Sequence, residues 1–175
     1  MYYPISTNKS NTSEFGNAIL SRNQITQENK LILPHKKQNG RIRNATNCVF
    51  KINETTILVY YIHMKTTIMS REKRMDQIDS IIKDIKEKEI DHVILGGDFN
   101  TLINKDLEII ITKFKEVDII YNSGNVGATG SYLFGLVKPV NDHFFSRNME
   151  GIMTSKLKTS KSSDHLPILI RYNLN

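Results

Sequence analysis

Short apolar runs and longer amphipathic ones alternate along this chain. Cys48–Ile52, Thr56–Ile62, Val93–Leu95, Asp142–Phe145 and Pro167–Tyr172 are brief, rich in β-branched and aromatic residues, and bounded by polar or Gly positions. That is the pattern of buried strands. Asn53-Glu54 between the first two suits a tight hairpin turn. Arg71–Glu89 carries Met75, Ile78, Ile82 and Ile85 at spacings of three and four, and Asp106–Val117 carries Leu107, Ile110, Ile111 and Phe114 likewise. Both predict helices with one apolar stripe. Asn104 can cap the second helix, and Asp106 and Glu108 suit the positive end of its dipole. The first two strands form a hairpin, so a layered sandwich with outer helices is expected rather than a simple parallel sheet. Residues 1–13 are polar, hold one Pro and have no periodicity, and read as an N-terminal loop. Residues 14–175 then form one domain.

Composition narrows the classes. The 175 residues suffice for a domain with a core. No apolar stretch reaches the roughly eighteen residues of a membrane span, and the start lacks the charged and apolar regions of a signal peptide. A cytoplasmic location is the default expectation. Cys48 is the single cysteine, which excludes an intrachain disulfide and a zinc site built on cysteine pairs. Its apolar setting reads as core. The net charge of +6 and pI of about 9.3 favour a polyanionic partner. Arg147, Lys156, Lys158 and Lys161 crowd the stretch before Asp164-His165 and read either as phosphate-steering charge or as a solvated face.

Candidate chemistry gathers at strand ends. Thr56–Ile62 ends in His63, Val93–Leu95 runs into Gly96-Gly97-Asp98-Phe99-Asn100, and Ser162-Ser163-Asp164-His165 stands just before the last strand. A rigid scaffold presents side chains best from such places. The glycines allow close backbone approach, and Asp98 with Asn100 supplies a carboxylate and an amide that can orient a water and a phosphate oxygen. The same two residues also suit a simple Asx turn. In Asp164-His165, adjacent side chains on extended backbone point opposite ways, so one can bind metal while the other acts as a base. A base His needs a carboxylate on its far nitrogen, and Asp142 is a candidate; Asp142-His143 also reads as a solvated turn.

In this order the pieces resemble the endonuclease/exonuclease/phosphatase family, which includes deoxyribonuclease I, neutral sphingomyelinases and inositol polyphosphate 5-phosphatases. The matching stretches are Gly-Asn-Ala-Ile-Leu-Ser-Arg (16–22), Ile-His-Met-Lys (62–65), Arg-Met-Asp-Gln (74–77), Gly-Gly-Asp-Phe-Asn-Thr (96–101), Asn-Asp-His-Phe-Phe-Ser-Arg (141–147) and Ser-Asp-His-Leu-Pro (163–167). The resemblance implies a four-layer α/β/β/α sandwich and a phosphoesterase using Mg²⁺ or Mn²⁺. It implies that His165 activates water, that Asp142 holds its imidazole, and that Asp98 and Asn100 orient nucleophile and phosphate. His63 would donate to the phosphate or leaving oxygen, and Asp164 would bind metal. His63 is more similar to the deoxyribonuclease, sphingomyelinase and inositol-phosphatase branches than to abasic-site endonucleases, which carry Tyr there.

Two departures stand out. Asn141 replaces the usual apolar residue before the Asp that pairs with the base. The family's first two strands, which deliver an Asn and a metal-binding Glu, precede the stretch matched by 16–22, yet only fifteen residues come before it here. Gln27-Glu28 lies after it. The expectation is a partial domain lacking its first strands, acting on nucleic acid in preference to a phospholipid headgroup or an inositol phosphate, with an inactive remnant or binding module as the alternative.

Overall fold

The computed structural model describes residues 5–10, 13–35, 42–64, 71–101, 103–124, 126–130, 139–157 and 163–174. β4 (Asn44–Ile52) and β5 (Thr55–His63) form the expected antiparallel hairpin around Asn53-Glu54, with Asn53 at φ 54°. Helix α1 (Arg71–Lys88) then carries the chain to β6 (His92–Asp98), parallel to β5. Helix α2 (Asn104–Lys115) and the short β7 (Ile120–Tyr121) follow. β8 (Asp142–Arg147) runs antiparallel to both β6 and β7. With β3 (Ile25–Ile32) at its edge, this six-stranded sheet has the order β3-β4-β5-β6-β8-β7.

One face of the sheet belongs to the helices. Leu58, Tyr60 and Ile62 alternate along β5, and Val93 and Leu95 along β6. They pack with Ile78, Ile81 and Ile85 of α1 and with Ile110 and Phe114 of α2 in a single buried cluster that includes Phe99 and Phe145. Each such side chain is worth about 1.5–3 kcal/mol of burial. Arg71 and Arg74 of α1 both bind the buried Asp106 carboxylate of α2, tying the helices together.

Two further antiparallel hairpins form two-stranded sheets of their own, β1–β2 (Ile5–Ser10 with Ser13–Gly16) and β9–β10 (Glu150–Lys156 with Ile168–Asn173). On the face of the sheet away from the helices lies an open groove of about 430 Å³. Val59, Tyr61, Ile94 and Phe144 form its floor, and Ala18, Ile19 and Leu166–Ile168 its walls. No helix among the described residues is long and apolar enough to cross a membrane.

Two local expectations change, and one strand is added. Ile5–Ser10 is a strand rather than loop, because backbone pairing with β2 needs no apolar pattern. The polar β3, which the apolar pattern did not mark, is the added strand and sits at the solvated sheet edge. Asn104 lies inside α2; the N-cap is Ile103, with no side-chain capping bond, and Asp106 is taken up by two arginines besides lying in the first turn.

Candidate active site

The strand register places His63, Asp98 and Asp142 in one row. His63 pairs with Asp98 across β5 and β6, and Asp98 with Asp142 across β6 and β8. Directly opposite residues share a face of the sheet, so three polar side chains from three strands stand side by side. The row continues off the sheet: His165 Nδ1–H donates to Asp142 Oδ2 at 2.7 Å. Lying between β9 and β10, His165 bridges to Gly130, and Leu166 N–H donates to Thr129 O.

The backbone around the row is tightly determined. Gly97, opposite Ile62, has φ +137°, and a Cβ there would collide with the Ile62 carbonyl oxygen. Only glycine fits both conditions. Asn100, at φ 52°, donates its backbone N–H to Asp98 Oδ1 at 2.8 Å. Its side-chain amide donates to Met64 O at 2.9 Å and Asp98 Oδ2 at 3.1 Å. The Asx turn and the polar pair are therefore one arrangement: Asn100 grips both oxygens of Asp98. Phe99 N–H donates to the carbonyl of the fully buried Asn141. Thr129 Oγ1 accepts the N–H groups of both Asn141 and Asp142 at 3.1 Å.

The electrostatics follow from crowding. Burial, and then the neighbouring Asp142 carboxylate, push Asp98 up to about 6, against the pull of the Asn100 N–H. The hydrogen bond to Asp142 raises His165 to about 9, with burial working the other way. Asp164 is exposed and accepts a weak bond from Ser163 Oγ at 3.4 Å. Among the described residues no three His, Cys, Asp or Glu side chains form a ready metal cluster. The chemistry of the site still fits a hard divalent cation: Asp164 offers an exposed carboxylate close enough for its charge to act on His165, and Mg²⁺ needs only one or two carboxylates because it keeps several waters.

Arg43 was not apparent in the linear pattern. It is only 6% exposed, and its guanidinium donates to His63 Nε2 at 2.7 Å. A guanidinium cannot accept, so that nitrogen of His63 is the acceptor and the 3.5 Å approach of Asp98 Oδ2 to it is not a hydrogen bond. Any proton that His63 offers a substrate would have to come from its other nitrogen. The two-residue turn of the β4–β5 hairpin was the available signal, since it fixes Asn44 close to His63 and brings Arg43 alongside.

Of the four basic residues that crowd the stretch before Asp164, the described ones are Arg147 and Lys156. Arg147 lies at the far end of β8 from Asp142 and donates to the carbonyls of Ile90 and Asp91. Lys156 donates to Ala128 O at 2.6 Å. Lys158 and Lys161 lie outside the described residues.

A sequence model of the Endonuclease/Exonuclease/phosphatase family matches residues 1–165. Among solved structures, humanized TDP2 of D. rerio, carrying 14 mutations, is 17% identical with a TM-score of 0.73, the match covering 98% of this chain and 77% of that one. An endonuclease/exonuclease/phosphatase family protein from Leptotrichia buccalis C-1013-b is 16% identical, TM-score 0.73, over 99% of this chain and 72% of that one. D. rerio TDP2 complexed with single strand DNA product is 14% identical, TM-score 0.70, over 86% and 68%. At these identities the likeness speaks for the fold, a deoxyribonuclease I-like α/β arrangement. No curated protein matches at the sequence level.

Proposed function

Because the chain belongs to the endonuclease/exonuclease/phosphatase family, we propose that it is a metal-dependent phosphoesterase whose favoured substrate is nucleic acid. The observation that carries the reading is the 2.7 Å bond between His165 and Asp142 beside the His63–Asp98–Asp142 row. Asp142 fixes the Nδ1–H tautomer of His165, which makes Nε2 the atom that accepts a proton from water. Asp98, gripped by Asn100, orients that water. His63, held by Arg43, borders the phosphate. Asp164 would hold Mg²⁺ or Mn²⁺. When bound, such an ion neutralises charge on the phosphate oxygens and disfavours the protonated form of a nearby imidazole.

The basic charge of the chain and the single strand DNA product bound by D. rerio TDP2 both support nucleic acid over a phospholipid headgroup or an inositol phosphate. The test is a Mg²⁺ titration of bis-p-nitrophenyl phosphate hydrolysis, wild type against Asp164→Asn. Saturable dependence is expected, with the half-saturating Mg²⁺ raised about tenfold or more in the variant, the scale seen when metal-site partners are lost. Turnover independent of metal would overturn the metal assignment, and no turnover under any metal would leave a binding module of the same fold.

A further inference from the structure

His143 follows Asp142 on β8, so its ring enters the opposite, helix-covered face of the sheet and is fully buried. It touches two hydroxyls. Thr101 Oγ1 stands 2.6 Å from Nε2, and Tyr121 Oη 3.2 Å from Nδ1. The direction of each bond can be assigned. Thr101 Oγ1 already donates its one proton to Val140 O at 2.9 Å, so toward His143 it accepts, and Nε2 carries the hydrogen. Val140 O also lies close to the ring and, as a carbonyl, can only accept. Nδ1 is then the bare nitrogen and takes the Tyr121 proton. Ser123 bonds the Tyr121 oxygen and itself accepts the Phe144 N–H.

The chain of bonds thus starts at the backbone of Phe144, passes through Ser123, Tyr121, His143 and Thr101, and ends at the backbone of Val140. Those two backbone positions flank Asp142. Thr101 directly follows Asn100, the residue that grips Asp98. One neutral imidazole therefore joins the loop after β6 to the start of β8, the two segments whose spacing sets the distance between Asp98 and Asp142.

We propose that His143 is a positioning residue: held as the neutral Nε2–H tautomer between Tyr121 and Thr101, it fixes the Asp98–Asn100 loop against Asp142. The inference rests on reading that row as a hydrolytic site, but its geometric half is independent of activity. A small displacement of reacting groups costs up to about 10²-fold in rate, which gives the size of effect to look for. Gln can reproduce the Nε2–H donor toward Thr101; Phe cannot.

The experiment compares wild type, His143→Phe, His143→Gln and Thr101→Val. Long-range ¹H–¹⁵N spectra of the wild type should show His143 protonated at Nε2 and bare at Nδ1. The amide resonances of Asn100 and Asp142 should shift in His143→Phe and Thr101→Val and return toward wild type in His143→Gln. Kinetically, kcat should fall about tenfold or more in His143→Phe and Thr101→Val with KM changed less than about threefold, and recover in His143→Gln. An Nδ1–H tautomer, or unshifted Asn100 and Asp142 amides with wild-type kcat in Thr101→Val, would overturn the proposal. Thr101→Val removes only a hydroxyl and decides the matter if His143→Phe does not fold. An inactive wild type would sink the hydrolase reading alone, and the spectra would then decide the positional claim.

Discussion

Asp98 and Asp142 are direct partners across β6 and β8, so two carboxylates occupy one polar row at the end of a buried sheet. Burial and this neighbour raise Asp98 from 3.8 to about 6. A raised folded-state value means that stability is fully present below the unfolded value and is lost as pH rises through about 6. The full cost is on the order of 3 kcal/mol. Asp98→Asn should therefore stabilise the metal-free chain at pH 7.5 by about 1 kcal/mol, the remainder being lost with the second bond from Asn100. Near pH 4, where Asp98 is neutral in the folded chain, the gain should be gone and the lost bond should leave the variant less stable than wild type. Urea unfolding at the two pH values measures it, and a variant less stable at pH 7.5 than at pH 4, relative to wild type, would contradict the electrostatic account.

His143 has the opposite sign. Burial lowers it from 6.5 to about 4, opposed by the nearby Asp142 charge and the Val140 carbonyl. The unfolded chain binds a proton from about pH 6.5 downward and the folded chain does not until about pH 4. Stability is thus lost as pH falls through that window, by about 3 kcal/mol in all. His143→Phe has no proton to bind, so the difference in unfolding free energy between it and wild type should change steeply from pH 6.5 to 4 and stay level above 7. A difference that is flat from pH 7 to 4 would show that His143 titrates normally.

Gly97→Ala should destabilise the chain more than Gly124→Ala. Both glycines have positive φ, +137° and +56°. At Gly97, however, the new Cβ meets the Ile62 carbonyl, whereas Gly124 has open space around it. Backbone strain of this kind is worth about 1–3 kcal/mol, and the collision adds to it at Gly97 alone. Equal melting temperatures for the two variants would mean that β5 and β6 can separate without cost.

Much of this was legible in the chain itself. The apolar runs at Thr56–Ile62 and Val93–Leu95 and the stripes at Ile78–Ile85 and Ile110–Phe114 mark the central strands and both helices, because burial imposes periodicity. Ile5–Ser10 and Ile25–Ile32 escaped notice because edge and hairpin strands are held by backbone bonds and carry polar side chains. In the site, His63, Asp98, Asp142 and His165 stood out as polar residues at strand ends. Arg43 and His143 did not, since their roles depend on what lies across the sheet. Arg43 owes its place to the hairpin register, and His143 to two hydroxyls at positions 101 and 121 that nothing in the local sequence links. The clustering of Arg147 with Lys156 was misleading because closeness in sequence ignored the length of β8, which carries Arg147 away from Asp142.

The central claim is that the Asp142–His165 pair, with Asp98 beside it, hydrolyses phosphate esters. It is tested most directly by measuring cleavage of plasmid DNA and of bis-p-nitrophenyl phosphate with Mg²⁺ or Mn²⁺ in wild type, His165→Ala, Asp98→Ala and His92→Ala. His92 begins β6 at the end away from Asp98, and serves as the control. The account predicts metal-dependent turnover that falls about 10²-fold or more in His165→Ala and Asp98→Ala, the scale of losing a general base or its partner, and is unchanged in His92→Ala. Turnover that survives His165→Ala, or falls equally in His92→Ala, would contradict it.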